Sequence, residues 1–332
     1  MTSIFNKDLI NKTKSAQEAH IIQPVHIGQT NRQNELVFFI KPELLRVDDN
    51  EKIFNSLKLI EEKFADYQVT INGTVILPGK VLAEHEIMNR HYGFINQLSR
   101  MASEIVVQET RAQMFEILDM VDNSKHIILG GHEFLKRYST NVDILNDIWF
   151  GQGAKKLRSG FYFIADTYKD DPILLINGFH PSQLLHFTRE DHRIVLMLIH
   201  TDADWYDLKF DLVGDTFPER AKPKSIRGQL FANPEDYGQQ EVGINTNGVH
   251  LSAGPFEAAF EVVNFFGDIL SLDPEITPPL AIKRALHLGI EQPIALSFLD
   301  NPSIGESDLF SETENLNTDD AIQFAKEKFV GD

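Results

Sequence analysis

Proline 255 is followed by Phe256, Ala259, Phe260 and Val263 at i, i+3, i+4 and i+7, and no other feature narrows the possible folds as much. The spacing predicts an amphipathic helix over 256–266, opened by a proline whose missing N–H costs nothing in a first turn. Glu257 and Glu261 lie off the apolar stripe. A helix with one apolar stripe must lie on another layer. Strand-length apolar runs at Leu36–Ile40 and Arg193–His200 supply one. Between and around them, Ile53, Leu57, Ile60 and Phe64 mark a second amphipathic helix. Tyr67–Leu77 reads as a strand interrupted by a turn or bulge at Asn72-Gly73, and Pro78–Met101 as a helical pair. Glu104–Val121 looks helical, Phe161–Ala165 and Ile173–Gly178 look like strands, and Asp204–Val213 is a short helix. A helical segment falls within Phe5–Ala19 and a final helix at about Thr318–Phe329.

The 332 residues can hold two domains, or one domain with a large insertion, and 42% hydrophobic residues suffice for a real core. The polar start and the absence of an apolar run of about 18 residues point to a soluble, cytoplasmic protein without membrane contact. With no cysteine, disulfides and thiolate chemistry are excluded. A net charge of -18 argues against nucleic acid as a partner, because that binding rests on Lys and Arg neutralising phosphates. Nucleotide binding needs only a local group of cations. His126, His132, His180 and His186 do not have the spacing of a metal site. Gly130-Gly131 and Gly151-Gln152-Gly153 lack the ending of a phosphate loop.

His250 stands just before the Ser/Gly turn that opens the 256–266 helix, where an imidazole can meet a phosphate among backbone donors. Upstream, Gly214-Asp215-Thr216-Phe217-Pro218 runs through Pro223-Lys224-Ser225-Ile226-Arg227-Gly228. This stretch resembles, without a gap, the G-E-T-N-P-x-x-x-x-P-G-T-I-R-G pattern of nucleoside diphosphate kinases. Asn247, His250, Ser252 and Glu261 follow at that family's relative spacing, and Ile40-Lys41-Pro42 resembles its first strand end. Glu84-His85-Glu86 with Phe94 and Leu98 is similar to its base-binding segment. Taken singly, each residue has an ordinary reading: Lys41 at a strand end, Thr216 and Asn247 in turns, Glu261 on a solvated helix face, Phe94 and Leu98 in a core. Their joint spacing is what points to chemistry.

The resemblance implies an α+β, ferredoxin-like (βαββαβ) core with a four-stranded antiparallel sheet, an inserted α/β segment, and homo-oligomers. The family-like blocks are 35–102 and 192–267. They leave an N-terminal extension over 1–34, an insertion over 103–191 and a C-terminal extension over 268–332. In the implied roles His250 is the nucleophile, oriented by Glu261 with Ser252. Lys41 and Arg227 neutralise phosphates, Thr216 and Asn247 donate hydrogen bonds, and Phe94 and Leu98 clamp the base. Mg²⁺ enters with ATP, and the γ-phosphate passes through a phosphohistidine to a nucleoside diphosphate or a specialised acceptor. Departures favour specialisation: Glu86 replaces a tyrosine, Phe210 an arginine with Lys209 adjacent, and the 227–247 segment is ten residues longer. The alternative function is a catalytically altered nucleotide sensor or interaction module.

Overall fold

In the computed structural model, residues 3–121, 125–158 and 160–331 are described; positions 1 and 2 of the expected N-terminal extension and 122–124 and 159 of the expected insertion lie outside them, as does 332. The chain is a mixed α/β protein that divides into two units, Met1–His85 with Arg189–Asp332, and Glu86–Thr188. The second unit begins at Glu86 rather than at 103, and it takes Phe94 and Leu98 with it.

The first unit is built on a five-stranded sheet: β1 (His20–Gln23), β2 (Asn34–Ile40), β3 (Thr70–Pro78), β4 (Arg193–Thr201) and β5 (Val249–Leu251). Their order is β1-β3-β4-β2-β5, and every neighbouring pair is antiparallel. The apolar runs of β2 and β4 occupy the middle, and every residue of β2 is buried. The Asn72-Gly73 signal becomes a register shift between Ile71 and Gly73 in the β3–β4 ladder. The strand nearest the N-terminus was not foreseen. β1 comes from the N-terminal extension and pairs with β3, so that extension is part of the sheet.

Alternation in the strands separates two layers. Leu36, Phe38, Ile40, Met197 and Ile199 face a core shared with helices Lys7–Ser15 and Asn50–Asp66, which contribute Leu9, Ile10, Ile53, Leu57, Ile60 and Phe64. Val249 belongs to this core and Leu251 packs against it. His250, between them, therefore points to the other face, beside its register partner Phe39. Helix Pro255–Leu270 covers that face, with Phe265 5.5 Å from Phe39 between ring centroids.

The same helix turns Phe256 and Ala259 toward a separate core formed with Ile282, Ala285, Phe298, Ile322 and Ala325. The C-terminal extension is thus folded structure, with helices at Leu280–His287 and Thr318–Phe329. Sandwiched in this way, Pro255–Leu270 is buried on two faces, which removes the ordinary reading of Glu261 on a solvated face: its exposure is 0%.

The second unit holds a four-stranded mixed sheet. Ile127–Gly130 runs parallel to Asp171–Ile176, which is antiparallel to Phe161–Tyr168, and Lys155–Arg158 closes the edge. Helices Gly93–Ile105 and Gln108–Ile117 bring Leu98, Ala102, Met114 and Phe115 against Phe161, Phe163, Leu174 and Ile176.

Candidate functional site

Three residues from one strand–turn–helix passage meet behind Phe39. His250 Nε2 lies 2.7 Å from Glu261 Oε1. The Ser252 hydroxyl donates to Glu261 Oε2 and accepts the Val37 N–H at 3.0 Å. Donors therefore converge on Glu261 from both sides, which makes Nε2 the protonated nitrogen of a neutral ring and fixes the ring's orientation. Phe39 stacks on the imidazole at 4.4 Å and 15°, so the ring is held against a flat wall. His250 retains 18% side-chain exposure, whereas Glu261 has none.

The cations stand close by. Lys41 follows β2 directly, is 8% exposed, and donates from Nζ to Asn247 Oδ1 at 2.6 Å. The Asn247 amide nitrogen donates in turn to the Thr216 carbonyl at 3.1 Å. Asn247 so ties the lysine to the 214–217 turn, while Thr216 itself is exposed. Arg227, on helix Ile226–Ala232, sends Nη1 to the Gly214 carbonyl and Nη2 to the Val249 carbonyl, both at 2.9 Å. Two of its five donors are thus committed to backbone, and they bind the 214 turn to β5.

The electrostatics follow from this crowding. Burial lowers the Lys41 pKa from 10.5 to about 8, Glu43 opposing and Arg227 adding to the fall. Burial, with Lys41 and Arg227 nearby, holds His250 well below its usual 6.5, so the ring is neutral at physiological pH. Burial and the Glu261 carboxyl push Glu257 up to about 8.

Sequence reasoning missed several contributors. Glu43 is buried and accepts the Gly248 N–H at 2.8 Å, and the Lys41 N–H donates to the Gly248 carbonyl at 2.9 Å. Gly248 is held at φ +84, and a Cβ there would come within 2.4 Å of Leu230. The Asn247-Gly248 pair was the available signal for a tight, left-handed turn. Glu43 and Phe39 carried no signal beyond lying beside Lys41.

Other expectations are corrected. Leu98 is 2% exposed within the second unit's core, among Phe161, Phe163 and Leu174, so it has no face for a base. Phe94 is 40% exposed, with the Arg158 guanidinium 5.1 Å above its ring. The structure therefore does not form a Phe94–Leu98 clamp. Lys209 does not take over from the missing arginine, because it pairs with Glu314, while Phe210 packs on Tyr206 at 4.6 Å. Glu86 lies in the second unit in a left-handed conformation, φ 50.

No family model matches the chain, and no curated protein matches it. Among solved structures, an NDP kinase from Pyrobaculum aerophilum is similar at 16% identity over 72% of this chain and 99% of that one. The TM-score is 0.33, too low to carry an assignment.

Proposed function

We propose that the first unit is a nucleotide-dependent phosphotransferase in which His250 takes up the γ-phosphoryl group of ATP and hands it to a nucleoside diphosphate or a specialised acceptor. The observation that carries this reading is the neutral imidazole whose Nε2 is pinned by buried Glu261 at 2.7 Å beside two buried cations. With Nε2 occupied, attack falls to Nδ1, whose lone pair lies in the ring plane. The bond from Nδ1 to the γ-phosphorus forms as the bond from that phosphorus to the β–γ bridging oxygen breaks, and ADP leaves with the electron pair. The second step reverses this on the acceptor, giving ping-pong kinetics.

In this reading Lys41 and Arg227 hold charge on the β- and γ-phosphates, and Glu261 stabilises the positive charge that develops on the ring. Mg²⁺ accompanies the nucleotide and offsets the charge of its phosphates. Thr216 and Asn247 border the same cations and would bind phosphate or sugar. The sheet order β3-β4-β2-β5 supports a ferredoxin-like core to which β1 has been added. Base recognition is left to residues outside the pattern.

The experiment is incubation with γ-labelled ATP and Mg²⁺. Acid-labile, base-stable label that disappears in His250→Ala supports the reading. Nucleotide binding without label on wild type supports a sensor instead, and absence of both removes the nucleotide assignment.

A further inference from the structure

The His250 imidazole is held along one edge and across one face. Glu261 holds the edge, with Oε1 2.7 Å from Nε2. Phe39 holds the face: strand register sets it directly across from His250, and the two rings stack at 4.4 Å and 15°. Phe39 is itself backed by Phe265, 5.5 Å away between ring centroids, and both phenylalanines are fully buried. Glu261 and Phe265 lie one turn apart on the same face of helix Pro255–Leu270. One buried helix therefore sets both contacts, the first directly and the second through Phe39.

An aliphatic side chain at position 39 would also give the ring an apolar wall. What an aromatic ring adds is a negative π face. That difference matters because the imidazole changes charge during the transfer. Nδ1 gives its lone pair to the bond with the γ-phosphorus while Nε2 keeps its proton, so the phosphorylated ring is cationic where the free ring is neutral. Burial, Lys41 and Arg227 all act against a positive charge on this ring. Glu261 favours the charge from the edge. A stacked aromatic favours it from the face, since a π face attracts a cation within about 6 Å of the ring centroid. The 4.4 Å stack lies inside that reach, and Phe39 is shut off from water, where the attraction is strongest. A contact that favours the cationic ring over the neutral one speeds the step instead of deepening the ground state.

We propose that Phe39 is a positioning residue for phosphoryl transfer, fixing the plane of the His250 ring and stabilising the positive charge the ring acquires as Nδ1 takes up the phosphoryl group. This role rests on the phosphotransfer reading of the site. Phe39 acts through His250 rather than on the nucleotide, so its effect belongs in the rate of transfer and not in nucleotide affinity.

The test replaces Phe39 in the full chain by mono-, di- and trifluorinated phenylalanine, introduced by suppression of a stop codon at that position. Shape and apolar character change little along the series, whereas each fluorine draws electron density from the π face. Labelling by γ-labelled ATP with Mg²⁺ is timed in a single turnover over a range of ATP concentrations. The rate at saturating ATP should fall stepwise with fluorine number. For the trifluorinated ring the loss should reach roughly tenfold or more, toward the thirtyfold that a desolvated cation–π contact of about 2 kcal/mol represents. The half-saturating ATP concentration should stay within about twofold of wild type. A rate indifferent to fluorination overturns the role, even where Phe39→Leu is slow, because that loss then belongs to packing. A change confined to the half-saturating concentration overturns it as well. Wild type that takes up no label overturns the phosphotransfer reading and this role together, whereas a labelled wild type with a flat fluorine series overturns this role alone.

Discussion

Replacing Lys41 by Met should make the protein more stable and less able to accept phosphoryl groups. Bringing the Lys41 pKa from 10.5 to about 8 means that holding the ammonium in its pocket costs, at about 1.36 kcal/mol per tenfold change in proton affinity, roughly 3 kcal/mol at neutral pH. Methionine has a similar reach and carries no charge, so this cost disappears. Against it stands the loss of the 2.6 Å hydrogen bond to Asn247 Oδ1, about 1 kcal/mol. The net expectation is a gain of about 2 kcal/mol at pH 7, because the cost of burying the ammonium, already reduced by Glu43, exceeds the hydrogen bond lost. The sign with pH follows from the direction of the shift. Between about pH 8 and 10.5 the unfolded chain binds the proton and the folded chain does not, so wild type gains stability as pH rises and the gap closes. Urea denaturation of both proteins from pH 7 to 10.5 reads this directly, and labelling by ATP should slow by about a hundredfold or more, as for loss of one preorganised electrostatic contact. A variant less stable than wild type at pH 7, or a gap that does not change with pH, would refute the reasoning.

Three further outcomes follow from the same geometry. Glu261→Gln replaces an acceptor of two hydrogen bonds with a group that can turn its amide toward the ring, so labelling should slow at least about tenfold, while unlabelled nucleotide binds as before; unchanged labelling would remove Glu261 from its role. Glu257→Gln should abolish a pH dependence. Because the folded carboxyl is pushed up from 4.5 to about 8, wild type loses stability relative to the variant as pH rises between those values, which urea curves at pH 5 and pH 9 would show or fail to show. Gly248→Ala should cost roughly 2–4 kcal/mol by denaturation, combining a left-handed φ with a Cβ 2.4 Å from Leu230; a loss below about 1 kcal/mol would mean the turn relaxes freely.

Much of the first unit was legible because its signals are local. The strand runs, the Asn72-Gly73 break and the 318–329 helix depend on neighbours in sequence, and each emerged near its expected bounds. His250, Glu261 and Ser252 were found through spacing, and the fold brings them together because a strand, a short turn and the opening turns of one helix leave little freedom between them. What could not be read depended on distant chain. The burial of Glu261 is set by two layers closing on one helix, and the strand role of His20–Gln23 by an edge on β3 some fifty residues away. Leu98 was misread because its apolar spacing is the same whether it faces a ligand or a core. The His200–Glu35 pair left no trace, since its members are 165 residues apart and meet only through strand register.

The flanks of the five-stranded sheet carry a consequence of their own. One border is the four-residue β1 with a break in its register, and the other is the three-residue β5, running straight into the turn before Ser252. Neither presents a long run of exposed backbone amides on which another polypeptide could extend the ladder. The architecture thus discourages runaway strand addition between copies, and association of this unit with itself would have to use helices and loops.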